Sequence, residues 1–154
     1  MSCAKSCSAH GHAHCVPDPN LPRPLTWASD YAIGVPEIDS EHQWLFSLVA
    51  KSQAALSSGC CRQIEEIFDE LFDYTCRHFA NEEALMARIQ YPHYLDHCQQ
   101  HERLRSRLQQ LRSEERKCQP AIATMTFLVD WLKCHTTTSD RRIGSFMRKQ
   151  GLVA

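Results

Sequence analysis

His97-Cys98-Gln99-Gln100-His101-Glu102-Arg103-Leu104-Arg105-Ser106-Arg107-Leu108-Gln109-Gln110-Leu111 is the stretch that decides the fold. His97, His101, Leu104, Leu108 and Leu111 follow one another at steps of four, three, four and three. That spacing keeps them on one face of an α-helix and is incompatible with the two-residue period of a strand. A helix that buries its leucines on that face also buries the two histidines. An ionisable side chain is costly to bury unless it is paired or binds a metal.

The same pattern extends in both directions. Upstream, a stripe runs Ile64, Ile67, Leu71, Tyr74, His78, Glu82, Leu85, on a helix expected from about Cys60 to Arg88 and broken by Tyr91-Pro92. Before it, Ile38, His42, Leu45, Val49, Ser52 and Leu56 form a first stripe, with Asp39 as the expected N-cap and Ser57-Ser58-Gly59 as the stop. The helix carrying His97 should begin near Pro92, and a fourth should begin near Pro120, with Ala121, Met125, Leu128, Leu132 and His135 on one face. Short connections favour antiparallel neighbours. The expected fold is therefore all-α: an antiparallel up-down-up-down four-helix bundle over residues 25–154, preceded by an irregular N-terminal extension over residues 1–24.

With 154 residues, the chain fits one globular domain. Its 17 Lys and Arg against 18 Asp and Glu give a formal charge of -1, which offers no general attraction for nucleic acid or anionic lipid. The N-terminus lacks the apolar run of a secretory signal, and no stretch approaches the roughly 20 apolar residues of a membrane span. A cytoplasmic location without membrane insertion is expected. Nine cysteines cannot all pair within one chain, and no Cys-x-x-Cys motif is present, which argues against a zinc ribbon or a thioredoxin-type site. The segment CAKSCSAHGHAHC, residues 3–15, carries Cys3, Cys7, His10, His12, His14 and Cys15 ahead of prolines at 17, 19, 22 and 24. It reads as an extended tail, either a plain disordered extension or a soft-metal site for zinc, copper or nickel.

The polar residues on the four stripes carry the functional information. His42 lies on the first helix, His78 and Glu82 four apart on the second, His97 and His101 four apart on the third, and His135 and Asp140 on the fourth. A step of four returns a side chain to nearly the same face, so five imidazoles and two carboxylates can meet inside the bundle. His135 to Asp140 is a step of five, which on a regular helix turns the carboxylate roughly 140° away. The intervening Thr136-Thr137-Thr138-Ser139 has poor helix propensity and hydroxyls that compete for backbone groups, so a π-bulge or broken turn is expected there. A single buried histidine is usually a satisfied core residue; seven such groups converging from four helices point to a metal centre. His93 lies off every stripe and reads as a surface residue. Cys76, Cys98 and Cys134 lie near these residues in sequence and read as packing or surface thiols.

The segments WASDYAIGVPEIDSEH (residues 27–42), HFANEEALM (78–86), YPHYLDHCQQH (91–101) and WLKCHTTTSD (131–140) resemble those of the hemerythrin family, specifically its single-domain bacterial kind. The resemblance implies a non-haem centre of two iron ions with an oxo or hydroxo bridge. His97, His101 and His135 would hold one ion and His42 and His78 the other, with Glu82 and Asp140 bridging. It implies reversible O2 binding for storage, delivery, transport or sensing, without catalytic turnover. The alternative is a di-iron redox enzyme, a peroxidase or ferroxidase, or a scavenger of iron or nitric oxide. An open coordination position would fall on the ion with two histidines, beside an apolar pocket expected from Leu45, Phe46, Phe79, Trp131 and Leu132. The family usually places a bulky aliphatic residue where this chain has Thr136; if that hydroxyl faces the O2 pocket, faster autoxidation is expected than for a Thr136→Ile variant.

Overall fold

The computed structural model describes residues 23–58, 61–114 and 122–153. The Cys/His-rich segment and the expected helix start near Pro120 lie outside these residues. Four long helices, α1 (Pro36–Ser58), α2 (Cys61–Arg88), α3 (Tyr94–Glu114) and α4 (Ile122–His135), form the expected antiparallel bundle. A π-helical turn, Thr136–Asp140, follows α4 without interruption and leads into α5 (Arg141–Lys149). No strand occurs among the described residues. The chain reaches α1 through an irregular segment with one 3-10 turn, Ser29–Tyr31.

The helix faces follow the apolar spacing. Leu45, Val49, Leu71, Leu104, Leu108, Leu111, Met125, Leu128 and Leu132 are all buried in one central cluster. A second cluster, including Ile33, Ile38, Leu85, Met86, Ile143 and Met147, closes the other end of the bundle around α5. The metal-type residues lie between the two, so apolar packing flanks them on both sides.

The helix starts differ from the sequence expectation. Asp39 is not the N-cap of α1, which already begins at Pro36, a residue whose fixed φ suits the first helical turn. Asp39 instead accepts hydrogen bonds from the backbone N–H of Ile33 at 2.7 Å and of Gly34 at 3.0 Å, tying down the segment that leads into the helix. Pro92 does not start α3; it sits in the turn before Tyr94. The preceding end of α2 closes with Gln90 in the left-handed region, φ 52°. There Tyr91 N–H reaches Met86 O and Gln90 N–H reaches Ala87 O, the paired bonds that satisfy the last carbonyls of a helix. Buried Gln53 on α1 accepts from Leu25 N–H at 2.8 Å and donates to Arg23 O at 3.2 Å, which fastens the leading segment to the bundle.

Candidate metal centre

All seven residues singled out from the spacing are buried: His42, His78, Glu82, His97, His101, His135 and Asp140. The bundle brings them together in two overlapping groups. Glu82, His97, His101, His135 and Asp140 place one donor atom each within 4.8 Å of one another, and His42, His78 and Glu82 form a second set sharing Glu82. The π turn is what admits Asp140. Its wider winding compensates for the five-residue step, so Asp140 faces the same interior as His135, with Oδ1 3.0 Å from His135 Nε2. Thr137 and Thr138 hydroxyls donate back to Lys133 O and Cys134 O, each at 2.7 Å, the competition for backbone carbonyls expected of this run.

Asp140 presents its two oxygens to different neighbours. Oδ1 lies 3.0 Å from His135 Nε2 and 3.3 Å from His97 Nε2, while Oδ2 lies 3.2 Å from His42 Nε2. Glu82 Oε2 lies 3.2 Å from His97 Nε2 and 3.1 Å from His101 Nε2. The imidazole nitrogens themselves crowd: His97 Nε2 to His101 Nε2 is 3.0 Å, and His101 Nε2 to His135 Nε2 is 3.2 Å. Lone pairs facing each other at such distances require a proton or a cation between them. Two ligands at right angles on one ion, with bonds of roughly 2.1 Å, stand about 3.0 Å apart, so the spacing suits a shared metal.

The hydrogen-bond pattern agrees. Both nitrogens of His42, Glu82 Oε1 and both Asp140 oxygens are buried without a hydrogen bond. A buried polar atom without a partner costs about 1–3 kcal/mol, and five of these belong to the converging set. A cation would satisfy those that face the centre, His42 Nε2 and the carboxylate oxygens, while His42 Nδ1 lies on the far side of its ring. Burial and the nearby Asp140 carboxylate both act to raise the Glu82 carboxyl, but its imidazole partners outweigh them and hold it at about 2. Asp140 behaves alike: burial opposes ionisation, yet His135, His42 and His97 hold it well below the usual carboxylate range. For His97, burial acts downward, and the Asp140 and Glu82 carboxylates beside it override it, raising the imidazole to about 9. Two anionic carboxylates therefore sit in the centre of the bundle with positive charge as their counterpart.

A layer of outer partners, not anticipated from the stripes, fixes the imidazole orientations. His78 Nδ1–H donates to Glu41 Oε2 at 2.8 Å, and Glu41 Oε1 accepts from Asn81 at 2.6 Å. His101 Nδ1–H donates to Glu83 Oε1 at 3.0 Å. An ionised carboxylate can only accept, so each ring carries its proton on Nδ1 and turns the Nε2 lone pair inward, the tautomer a metal needs. The sequence held a signal for these: Glu41 immediately precedes His42 and Glu83 immediately follows Glu82. One helical residue turns a side chain about 100°, from the interior toward the neighbouring helix. Phe79 stacks on His101 at 3.8 Å and Trp131 on His135 at 4.3 Å, restricting both rings further.

Beside the donors lies a cavity of about 20 Å³, room for a molecule of water or diatomic size, lined mainly by apolar residues and by His42, His78, His135 and Asp140. Leu45, Phe79, Trp131 and Leu132 line it as expected. Phe46 does not; it is buried in the central cluster and packs against Trp27 and Tyr31 with ring centroids at 5.2 and 4.6 Å. Thr136 is fully buried but is not among the lining residues. His93 is exposed, Cys134 is exposed, and Cys76 and Cys98 are half-buried free thiols. No described helix is long and apolar enough to cross a membrane.

A family model described as the hemerythrin HHE cation binding domain matches residues 33–146. Myohemerythrin-1 of Phascolopsis gouldii is 29% identical over 121 residues, covering 79% of this chain and 92% of that protein. A bacteriohemerythrin of Stenotrophomonas maltophilia (strain R551-3) is 36% identical over 78 residues, so the match spans 51% of either chain. A crystal structure of wild-type hemerythrin superposes with a TM-score of 0.75 at 26% identity, covering 79% of this chain and 95% of that one. The family match spans α1 through most of α5 and contains every residue of the buried histidine and carboxylate centre; this chain belongs to the hemerythrin family.

Proposed function

We propose that the protein holds two iron ions in this centre and binds O2 reversibly. The observation that carries the proposal is the pair of donor sets sharing Glu82, with Asp140 turning one oxygen to each side. His97, His101 and His135 would hold one ion, His42 and His78 the other, and Glu82 and Asp140 would serve both. When bound, a pair of reduced iron ions supplies the electrons with which O2 is taken up and returned. The surrounding residues make this a binding site more than a reaction site. Five imidazoles face only two carboxylates, a donor set with less anionic charge than the Glu-rich pairs of di-iron bundles built from Glu-x-x-His motifs. Leu45, Val49, Leu71, Leu104, Leu128 and Leu132 line the adjoining cavity with hydrocarbon and keep bulk water from the donors. Glu41 and Glu83 hold His78 and His101 with their lone pairs inward.

The support for O2 over other small ligands is the size and apolar lining of the cavity together with membership of the family. The test is to reduce the iron-loaded protein without air, admit O2, and follow the visible spectrum. Reversible carriage predicts a band that appears with O2 and disappears on degassing. Immediate irreversible oxidation would overturn the proposal in favour of a redox enzyme or a scavenger.

A further inference from the structure

Arg105, outside the donor set, sits at the end of a chain of contacts that reaches His101. Its guanidinium donates to Glu83 Oε1 at 3.2 Å, the same oxygen that accepts from His101 Nδ1–H at 3.0 Å. It also pairs with Glu102 at 2.8 Å, and its Cζ lies 5.6 Å from the centroid of Phe79, the ring stacked on His101. Arg105 follows His101 by four residues on α3, so both lie on the flank facing α2 and Glu83. The opposite half of the centre is built differently. There the carboxylate behind His78 is Glu41, and its other oxygen is held by a neutral amide, Asn81.

We propose that Arg105 is a positioning residue that sets the electron-donating strength of His101 through Glu83. A carboxylate accepting from Nδ1–H draws that proton and makes the imidazole a stronger donor at Nε2. A cation on the accepting oxygen weakens that pull. Glu83 is compensated in this way and Glu41 is not, so the two outer carboxylates give their histidines unequal donor strength. The His101 side is the weaker donor per histidine, and the His78 side the stronger. Removing the arginine charge strengthens His101 and favours the oxidised metal; removing the Glu83 charge does the reverse. The inference rests on the di-iron reading of the site.

The test is a double-mutant cycle on the full chain, Arg105→Met, Glu83→Gln and both together, with Arg105→Lys and Arg112→Met beside them. Arg112 is also on α3 but pairs with Asp69 and Asp73, away from the centre. Iron per chain is measured first, then the midpoint potential by anaerobic reductive titration. Iron in the wild type well below two per chain overturns the di-iron reading itself. With iron in place, Arg105→Met lowers the potential, Glu83→Gln raises it, and Arg105→Lys falls between wild type and Arg105→Met. Arg112→Met stays at the wild-type value. In the Glu83→Gln background the Arg105 substitution adds nothing, because its route to His101 is gone. Additive shifts, or an Arg112→Met shift as large as that of Arg105→Met, overturn the proposal while leaving the di-iron reading intact. The iron affinity of Glu83→Gln, expected to fall about tenfold, supplies the decision where Arg105→Met does not fold, since an unchanged affinity removes Glu83 as the link.

Discussion

Asp140 turns its two oxygens to different histidines, so on the proposed reading it would serve both ions. Replacing it with Ala removes a donor from both sides, so iron should fall well below two per chain, measured on protein purified with iron in excess; full occupancy in the variant would exclude Asp140 as a shared ligand. Protons compete for the same donors. In the metal-free protein His97 is raised to about 9, held up by Asp140 and Glu82 against burial. Iron requires the neutral imidazole, so binding displaces this proton at any pH below that value. Apparent iron affinity should therefore climb with pH, by at most about tenfold per unit for one proton, and level off near pH 9. The same shift acts on the empty protein with opposite sign: the stability it contributes is complete below the ordinary histidine value and is lost as pH rises through about 9. Thr136 is a different case, a fully buried hydroxyl without a hydrogen-bond partner, whereas its neighbours Thr137, Thr138 and Ser139 all have one. Thr136→Val keeps the shape and deletes the orphan, so thermal unfolding of the metal-free protein should show a gain of about 1 kcal/mol. A loss instead would mean that the hydroxyl has a partner in solution.

At the scale of elements, the stripes were legible because each face repeats its apolar and histidine positions over three or more turns. Helix ends were less so. Asp39 has the chemistry of a cap, and the carboxylate is used as a cap is, accepting from backbone N–H groups, but on the segment before α1. Sequence spacing could not reveal that, because Ile33 and Gly34 are brought back to it only by packing of the end cluster. The π turn was legible from a mismatch: a five-residue step between two residues that both had to face inward, filled with poor helix formers. The separate helix α5 was not, because its reason for existing is tertiary. Gly144 on α5 lies so close to the leading segment that a Cβ would stand 2.0 Å from Ile33 O, a backbone atom that cannot swing away. Gly144→Ala must push α5 from Ile33, at a cost of about 1–3 kcal/mol in thermal or denaturant unfolding. Since α5 continues directly from the turn that aims Asp140, iron retention should weaken with it. Unchanged stability would show that the two segments part without cost.

Across the whole molecule, all four long helices or the turn that extends them contribute to one buried polar centre, and that centre interrupts the apolar interior between two hydrophobic clusters. Six of the seven inward residues could be found from the sequence because they share the period of the core, and Asp140 because the run before it breaks that period. The roles of the outer carboxylates and of the guanidinium behind one of them were not legible, because Glu41, Glu83 and Arg105 gain them only when a second helix packs beside them. This arrangement makes folding and metal binding parts of one equilibrium. Without a cation, the donors remain buried and several lack any hydrogen bond, so the empty protein offsets their desolvation only through imidazole–carboxylate contacts. An ion that binds the folded bundle and not the unfolded chain adds about 4 kcal/mol when its free concentration is a thousandfold above the dissociation constant. For a chain of 154 residues that corresponds to roughly 8–16 °C in midpoint. Thermal unfolding with iron and after its removal by a chelator should therefore differ by that order, and hydrogen exchange should slow in all four helices together when iron is restored. A loss of protection confined to one helix, or coincident midpoints, would show that the centre does not tie the bundle together.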